Sequence, residues 1–378
     1  MAKRDSHIDV LVLGDHPAAY LAAALLAHKS KEAVLHSTIP HQPVVDRLVM
    51  INPAFFDLHP LLEGTRRRIH SRSVYGLQFL ADDPAIRTEH RARRAVGCVA
   101  QLRDVRAAME SLARSQGVAM VNPRNLEIHR VDEHGVEVTV GNQILTPKAL
   151  ILGGQLPPAQ RRILGLPEEW ERGVLRRYSH ARIRGTRAME LGGRPLVPMS
   201  LDLRGLLVWA WLFPGEAHLQ FAIDQPMDQA QRIAAHELLS HWAAVLHRHG
   251  ILRAPVEITP EMVVSEDLPL AGALAHEGIA SRTLLVGPAG GFYTASAEDV
   301  YPNCWSAIYA AEVLKKALKE RHLQDAIQPY RQSWRTTLGD YLRGPHQNLR
   351  YLLPLVYRNQ VMTSRVAEAI LTGRSVVR

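Results

Sequence analysis

Residues 8–27 read IDVLVLGDHPAAYLAAALLA, and this stretch decides the fold prediction. Ile8 to Leu13 is a short apolar run rich in β-branched residues, which is typical of a buried parallel strand. Gly14 ends that run, and the segment from Pro17 to Ala27 is rich in alanine and leucine, which are strong helix formers. Ala33 to Leu35 reads as a second short strand. A strand, a glycine turn, a helix and a second strand predict a βαβ unit.

The turn of this unit carries part of a dinucleotide-binding pattern. In G-x-G-x-x-G/A, the glycines let backbone N–H groups at a helix N-terminus approach a pyrophosphate. Gly14 and Ala19 fit the first and last positions, but His16 stands at the middle one, where its side chain occupies space that the phosphates need. His36 stands where an acidic residue usually binds the adenosine ribose. Taken alone, the motif favours an ordinary α/β protein with a tight first turn.

The proline content and the apolar periodicity of the rest of the chain change from one segment to the next. Residues 40–95 contain five prolines and are expected to be irregular, whereas Gln101 to Ser115 has the apolar stripe of a helix. Two strand-like runs and one long helix are expected after residue 166, over Arg204 to Phe213, His218 to Ile223 and Met227 to His249. We therefore predict an α/β fold in three parts: a discontinuous Rossmann-type dinucleotide-binding core (1–165 and 271–324), an inserted β-sheet substrate layer (166–270) and a C-terminal helical region (325–378).

Composition excludes several classes of protein. The 378 residues are 47% apolar and 22% charged, which is ordinary for a soluble globular chain, and two cysteines cannot form a disulfide framework. The net charge of +8 comes from arginine, whose clusters read as solvated surface, and the 6% of aromatic residues argues against a nucleic-acid partner. The longest uncharged apolar stretch near the start, Pro17 to Ala27, is too short to span a bilayer. We expect a cytoplasmic protein without a metal site.

A second glycine turn lies far along the chain, where residues 283–314 read TLLVGPAGGFYTASAEDVYPNCWSAIYAAEVL. This segment resembles the second flavin motif of the p-hydroxybenzoate hydroxylase-like flavoproteins, in which a strand ends in Gly-Asp-Ala-(Ala/Gly)-Gly-Phe and a helix follows. Gly287, Ala289, Gly291 and Phe292 match that pattern. Pro288 replaces the aspartate that contacts the ribityl chain of FAD in the family.

A third segment, VWAWLFP at residues 208–214, resembles a strand of geranylgeranyl reductases and a signature of the related flavin-dependent halogenases. In that family the strand borders the substrate cavity. The resemblance thus implies that an apolar substrate is walled by Trp209, Trp211, Phe213 and Phe292. The alternative is an apolar core strand without a ligand. No lysine lies in the region between Arg66 and Leu80, where a halogenase needs one, so halogenation is not expected.

Together these resemblances imply an FAD-dependent oxidoreductase similar to geranylgeranyl reductases, which transfers hydride to an apolar or lipid-like substrate. The cofactor would contact Gln101 and Arg103 and residues of both turns: Gly14, His16, Ala19, His36, Gly287, Pro288, Ala289, Gly290 and Gly291. NADPH is the expected electron donor, contact with a membrane surface is expected to be peripheral, and no catalytic residue is assigned. Two alternatives stay open, an FAD-dependent monooxygenase and a flavoprotein fold that has lost FAD and acts as a binding or partner protein.

Overall fold

The computed structural model describes residues 8–40, 45–185, 194–269, 278–294, 300–343 and 349–373. It begins with the βαβ unit that the sequence predicts, formed by β1 (Val10–Leu13), α1 (Pro17–Ala27) and β2 (Val34–Ser37). All four residues of each strand are buried, and so are ten of the eleven residues of α1. This helix lies inside the molecule, which explains why alanine and leucine occupy all of its sides.

The βαβ unit belongs to a six-stranded sheet with the strand order β18-β19-β12-β1-β2-β8. Strands β1, β2, β8, β12 and β19 run parallel, and β18 pairs antiparallel to β19 at one edge. One face of the sheet packs on helices and the other packs on a three-stranded meander. These elements are β8 (Ala119–Val121), β12 (Ala149–Leu152), β18 (Ile279–Ala280), β19 (Thr283–Leu285), the helices α3 (Leu102–Ser115) and α7 (Val300–Ala317), and the meander β9 (Leu126–Val131), β10 (Val136–Val140) and β11 (Gln143–Leu145). The predicted Rossmann-type core is confirmed.

Residues 40–95 are more regular than the sequence suggests, and the expectation of an irregular segment is wrong. They supply β3 (Leu48–Ile51), α2 (Pro60–Glu63), β4 (Ser71–Val74), β5 (Gly76–Leu80) and β6 (Arg87–Arg91). Strands β3 and β4 pair antiparallel with β7 (Gly97–Gln101) in a small sheet. The four described prolines bound these short elements rather than preventing them, because Pro53 and Pro60 begin helical turns and Pro40 and Pro84 lie between strands.

A seven-stranded sheet has the order β17-β13-β16-β15-β14-β5-β6 and is antiparallel except between β14 and β5. Its further strands are β13 (Leu175–Arg184), β14 (Val197–Leu203), β15 (Leu206–Pro214), β16 (His218–Pro226) and β17 (Val263–Pro269). Its outer face packs on α6 (Ala235–Arg248). Its inner face packs on the small sheet and on the C-terminal helices. Strands β5 and β6 come from the first part of the chain, so this sheet is not formed by the predicted insertion alone.

The prediction of one long helix over 227–249 is wrong in one respect, because the helix is interrupted. A single turn, α5 (Met227–Ala230), is separated from α6 by Ala234, which has extended backbone angles. The C-terminal region is helical as predicted, and its elements are α8 (Leu323–Ala326), α9 (Pro329–Thr337), α10 (Gly339–Arg343), α11 (Leu349–Val356) and α12 (Gln360–Thr372). The remaining helix, α4 (Pro158–Ile163), follows β12. Among the described residues, no helix has the length and apolar character needed to cross a membrane.

Candidate functional site

The two glycine turns of the sequence lie in contact with each other. The first joins β1 to α1, and the second follows β19 and begins at Gly287, whose φ of +55° favours glycine. A methyl group on Gly287 would lie 3.1 Å from Cβ of Ala18 and 3.3 Å from Nδ1 of His16. The chain therefore brings together residues almost 270 positions apart, at the carboxyl ends of two parallel strands that flank β12 in the sheet. Such ends are where α/β sheets bind ligands.

His16 occupies the space between the turns. Its side chain is 3% exposed, and its Nδ1 accepts a hydrogen bond of 3.2 Å from the backbone N–H of Ala18 at the N-terminus of α1. The N–H of Ala19 donates to the carbonyl of His16 at 2.9 Å. These N–H groups are those that a pyrophosphate uses when glycine stands at this position. In this chain an imidazole ring serves as the acceptor.

His36, at the end of β2, is turned toward the first turn. Its Nε2 lies 2.8 Å from the carbonyl oxygen of Gly14, so Nε2 must donate, because a carbonyl only accepts. The ring stacks on Tyr20 with a centroid distance of 4.1 Å. Burial lowers the pKa of His36 to about 4, and the imidazole is neutral at pH 7. The donor that could replace a ribose contact is therefore already bound within the protein.

Asp15 lies beside the N-terminus of α1 and has two charge-assisted partners. The Tyr20 hydroxyl donates to Oδ1 of Asp15 at 2.6 Å, and Nε of Arg106 on α3 donates to the same oxygen at 2.7 Å. Burial, followed by the nearby Asp15 carboxylate, raises the pKa of Tyr20 well above its usual range. An aspartate at a helix N-terminus supplies the negative charge that the helix dipole favours. The place that a phosphate would take beside the N-terminus of α1 is therefore already occupied by the Asp15 side chain.

The second turn is also closed by internal hydrogen bonds. The N–H of Gly287 donates to Oγ of Ser306 at 3.0 Å, and Nε2 of Gln155 donates to the carbonyl of Pro288 at 2.7 Å. Asn303 in α7 is fully buried next to Gly287, and among the described residues neither its amide nitrogen nor its amide oxygen has a partner. Sequence reasoning did not single out this asparagine. The remaining residues of the turn are buried (Ala289 and Gly290), or left-handed with φ +75° (Gly291).

The other predicted cofactor contacts lie in two different places. Ala19 packs so closely on the end of β12 that a methyl group on Gly153 would lie 2.7 Å from its Cβ. Gln101, before α3, has its amide nitrogen 3.2 Å from Nε2 of His218, and Arg103 is 3.7 Å from Asp46. Gln101 and Arg103 both line a cavity of about 330 Å³ between the small sheet and the start of β16. Their described hydrogen bonds and ion pairs include no residue of the glycine turns.

The predicted substrate residues also divide into two sets. Trp209, Trp211 and Phe213 project from the inner face of β15 and stack in sequence, with centroid distances of 6.0 Å and 5.7 Å. All three are buried in one apolar cluster with the C-terminal helix α12. Phe292 lies in a different cluster, edge-on to Trp334 at 5.7 Å. The structure therefore does not bring Phe292 to the tryptophan strand.

The inner face of the same sheet has a polar half that the sequence did not reveal. Arg176 donates to Asp224 at 2.7 Å, and Arg47 lies 2.7 Å from Glu266 with its guanidinium over the ring of Tyr178. Burial raises the pKa of Asp224, although Arg176 opposes this effect. The polar residues of β13, among them Arg176 and Tyr178, recur at a spacing of two, and that alternation was the signal available in the sequence.

Comparisons with known proteins agree on the fold. No family model matches the chain, and no curated protein matches it. Solved structures do match. A geranylgeranyl bacteriochlorophyll reductase-like protein from Thermoplasma acidophilum is 16% identical, with a TM-score of 0.68 over 96% of this chain and 87% of that one. The flavin-dependent brominase Bmp2 is 13% identical, with a TM-score of 0.70 over 97% and 94%.

A flavoprotein/dehydrogenase from Cytophaga hutchinsonii is 14% identical, with a TM-score of 0.69 over 97% of this chain and 93% of that one. The chain has the fold of these flavoproteins. The predicted fold class is confirmed, and the resemblance to flavoproteins holds for the fold. At such low identities the similarity supports the fold alone, and the chemistry has to be argued from the residues of the site.

The residues present do not fit FAD bound across the first turn in the usual way. The His16 ring fills the space of the pyrophosphate, and the acceptors expected from an acid at position 36 and from an aspartate at position 288 are replaced by His36 and Pro288. One steric obstacle and two missing acceptors cost about 1–3 kcal/mol each. FAD and NADPH therefore remain predictions. Among the described residues, no group of three or more His, Cys, Asp or Glu side chains could hold a metal ion.

Proposed function

We propose that this chain uses the flavoprotein fold to bind an apolar small molecule, without FAD in the crevice between the glycine turns. The observation that carries the proposal is the position of His16. Its buried ring lies in contact range of Gly287 and accepts the N–H of Ala18. A ring that caps the helix and touches the opposite turn must leave before a pyrophosphate can enter.

The neighbouring side chains support this proposal because they are bonded to each other. His36 donates to Gly14, and Asp15 accepts from Tyr20 and Arg106. Insertion of FAD would break this network and would leave an aspartate close to two phosphates. The cost of burying one such group without its partner is on the order of 1–3 kcal/mol, and more for a charge.

The ligand is proposed to lie against the inner face of the seven-stranded sheet. Trp209, Trp211 and Phe213 form a stacked aromatic row there that is buried against α12, so a ligand would have to displace this helix to reach them. Aromatic side chains are typical of the walls of sites for apolar ligands. The proposal assigns no catalytic residue. Peripheral contact with a membrane, which an apolar ligand would require for delivery, is part of the proposal and awaits its own test.

Purified full-length protein tests the proposal directly. The expected preparation is colourless. When FAD is added up to 100 μM, its fluorescence should be the same with the protein as in buffer alone. A double variant, His16→Gly with His36→Asp, restores two positions of the dinucleotide-binding pattern, one in the first turn and one at the end of β2, and should bind FAD at least tenfold more tightly than the wild type. Wild-type protein that carries stoichiometric FAD through purification would overturn the proposal.

A second candidate function is the flavin-dependent oxidoreductase implied by the motifs, either a geranylgeranyl reductase-like enzyme or a monooxygenase. It is favoured by the buried amide of Asn303, which lacks a partner among the described residues and lies beside Gly287. It is also favoured by the names of the structural relatives. Yellow protein that consumes NADPH would select this candidate. A hydroxylated product or peroxide would then distinguish a monooxygenase from a reductase.

A further inference from the structure

The cavity of about 330 Å³ described above lies between the small sheet and the turn that joins β15 to β16. Arg72 and Gln101 line it from the small sheet, and Glu216 and His218 line it from the turn. It is open to solvent, because the side chains of Arg103 and Glu216 at its edge are exposed. Among the described residues that line it, none belongs to the glycine turns or to the aromatic row of β15. The function proposed above therefore leaves this cavity unused.

Arg72 brings a positive charge to this cavity without an acidic partner. It lies on β4 opposite Val99 of β7, on the face of the small sheet that packs toward the seven-stranded sheet. Its side chain is partly buried, and this burial lowers the pKa of the guanidinium. Within the described part of the chain, the side chain of Arg72 makes no ion pair and no hydrogen bond. A guanidinium that is partly withdrawn from water thus lacks a counter-charge.

The neighbouring charges at the cavity are either compensated or surrounded by water. The guanidinium nitrogens of Arg103 lie 3.7 Å from a carboxylate oxygen of Asp46 and 3.7 Å from one of Asp104. Glu216 is exposed on the turn, where water screens its carboxylate. Burial lowers the pKa of His218, so its imidazole is neutral at pH 7. The charge of Arg72 therefore favours a ligand with a negative group.

The side-chain amide of Gln101 supplies a second polar group. Gln101 lies at the N-cap position of α3 but makes no capping hydrogen bond. Its amide nitrogen donates at 3.2 Å to Nε2 of His218, whereas its Oε1 is buried and has no hydrogen-bond partner among the described residues. Gln101 lies two residues beyond Val99 on β7, so it is a diagonal neighbour of Arg72, with Cα atoms about 7–8 Å apart. One small molecule can therefore contact both side chains.

We propose that this cavity binds a small 2-hydroxy carboxylic acid, whose carboxylate pairs with Arg72 and whose hydroxyl donates to Oε1 of Gln101. The planar guanidinium matches a carboxylate with two parallel hydrogen bonds. An amide oxygen only accepts, so it requires a donor on the ligand. A hydroxyl fits better than an ammonium group, which would add a positive charge beside Arg72. Leu48 and Val99 in the wall provide apolar contact for a short alkyl tail. This proposal goes beyond the proposed function, because it concerns a separate cavity.

Three probes of nearly equal size test the proposal on the full-length protein. 2-Hydroxyhexanoate has both groups, 2-hydroxyhexanamide lacks the negative charge and hexanoate lacks the hydroxyl. Ligand-observed NMR titrations give the three dissociation constants. We expect 2-hydroxyhexanoate to bind about tenfold more tightly than the amide, because the pair with Arg72 is charge-assisted. It should bind about fivefold more tightly than hexanoate, because one further hydrogen bond is made.

Variants then assign each preference to a side chain. Arg72→Met keeps the length of the side chain and removes its charge, so the preference for the acid over the amide should disappear. Arg67→Met is the matched control, because Arg67 is an exposed arginine of the same basic stretch that does not line the cavity, and it should leave that preference unchanged. Gln101→Leu should remove only the preference for the hydroxyl. Glu216→Gln should tighten the binding of 2-hydroxyhexanoate. Circular dichroism checks that each variant is folded.

The proposal is overturned if 2-hydroxyhexanoate does not bind, if it binds no better than the amide, or if Arg72→Met and Arg67→Met have equal effects. Full displacement of 2-hydroxyhexanoate by an equal concentration of inorganic phosphate would also overturn it, because phosphate has the charge without the alkyl tail. Stoichiometric FAD in the purified protein would instead overturn the proposed function, whatever the probes do. The two failures are therefore distinguishable.

Discussion

The buried imidazole of His36 should make the stability of this protein sensitive to mild acid. Its folded pKa is about 4, against 6.5 for the free side chain, because burial disfavours the charged form. His36 is protonated below about pH 6.5 in the unfolded chain but only below about pH 4 in the folded chain. Stability is therefore lost as the pH falls through this window, and it is fully present above pH 6.5.

The size of the effect follows from these two values. Between pH 7 and pH 5, one imidazole with this difference removes about 1.8 kcal/mol from the free energy of unfolding. His36→Gln keeps an N–H donor for the carbonyl of Gly14 and removes the titrating group. We expect this variant to lose about 1.8 kcal/mol less than the wild type over the same pH range.

Urea denaturation followed by circular dichroism at pH 7 and pH 5 gives the measurement. His134→Gln is the matched control, because the side chain of His134 is 75% exposed and meets water in both states. Its pH dependence should equal that of the wild type. If His36→Gln also equals the wild type, then His36 is not held neutral against Gly14, and the interpretation of the first turn is wrong.

Three further predictions concern other parts of the fold. Gly14→Ala should cost about 1–3 kcal/mol more in urea unfolding than Gly117→Ala, since both have positive φ but only the first would put a methyl group 2.6 Å from the backbone at the end of β12. Asp224→Ala should destabilise the chain by about 3–5 kcal/mol in the same assay, because it leaves the buried Arg176 unpaired, and a change below about 1 kcal/mol would contradict a desolvated pair. Burial raises the pKa of the Cys98 thiol. Iodoacetamide at pH 8 should therefore label Cys98 more slowly in the folded protein than in urea-unfolded protein, as measured by mass spectrometry. Equal rates would show that the thiol is accessible and would contradict this prediction.

The sequence predicted those elements whose residues carry a local signal. The apolar run before Gly14 and the alanine-rich helix after it have the predicted bounds to within a few residues, since burial on all sides leaves an unbroken apolar pattern. The interruption before α6 carries no glycine or proline, so it could not be read locally. Several short strands of residues 40–95 escaped prediction because they pair outside this segment, β3 and β4 with β7 and one edge of β5 with β14.

The site was harder to predict than the fold. The sequence identified His16 and His36 as departures from the dinucleotide pattern, but it did not reveal which atoms they would bond. The network of Asp15, Tyr20 and Arg106 joins α1 to α3 across 91 positions, and no spacing rule connects them. The buried amide of Asn303 and Nδ1 of His180 have no partner among the described residues, and this property of three-dimensional packing becomes visible only when the elements are assembled.

Flavin content tests the central claim most directly. The absorbance spectrum of the purified, full-length protein is recorded before and after incubation with FAD and removal of unbound cofactor. A protein whose two glycine turns are closed by its own imidazole should show no bands near 375 and 450 nm in either spectrum. Bands that correspond to one flavin per chain would contradict the claim and return the chain to redox chemistry.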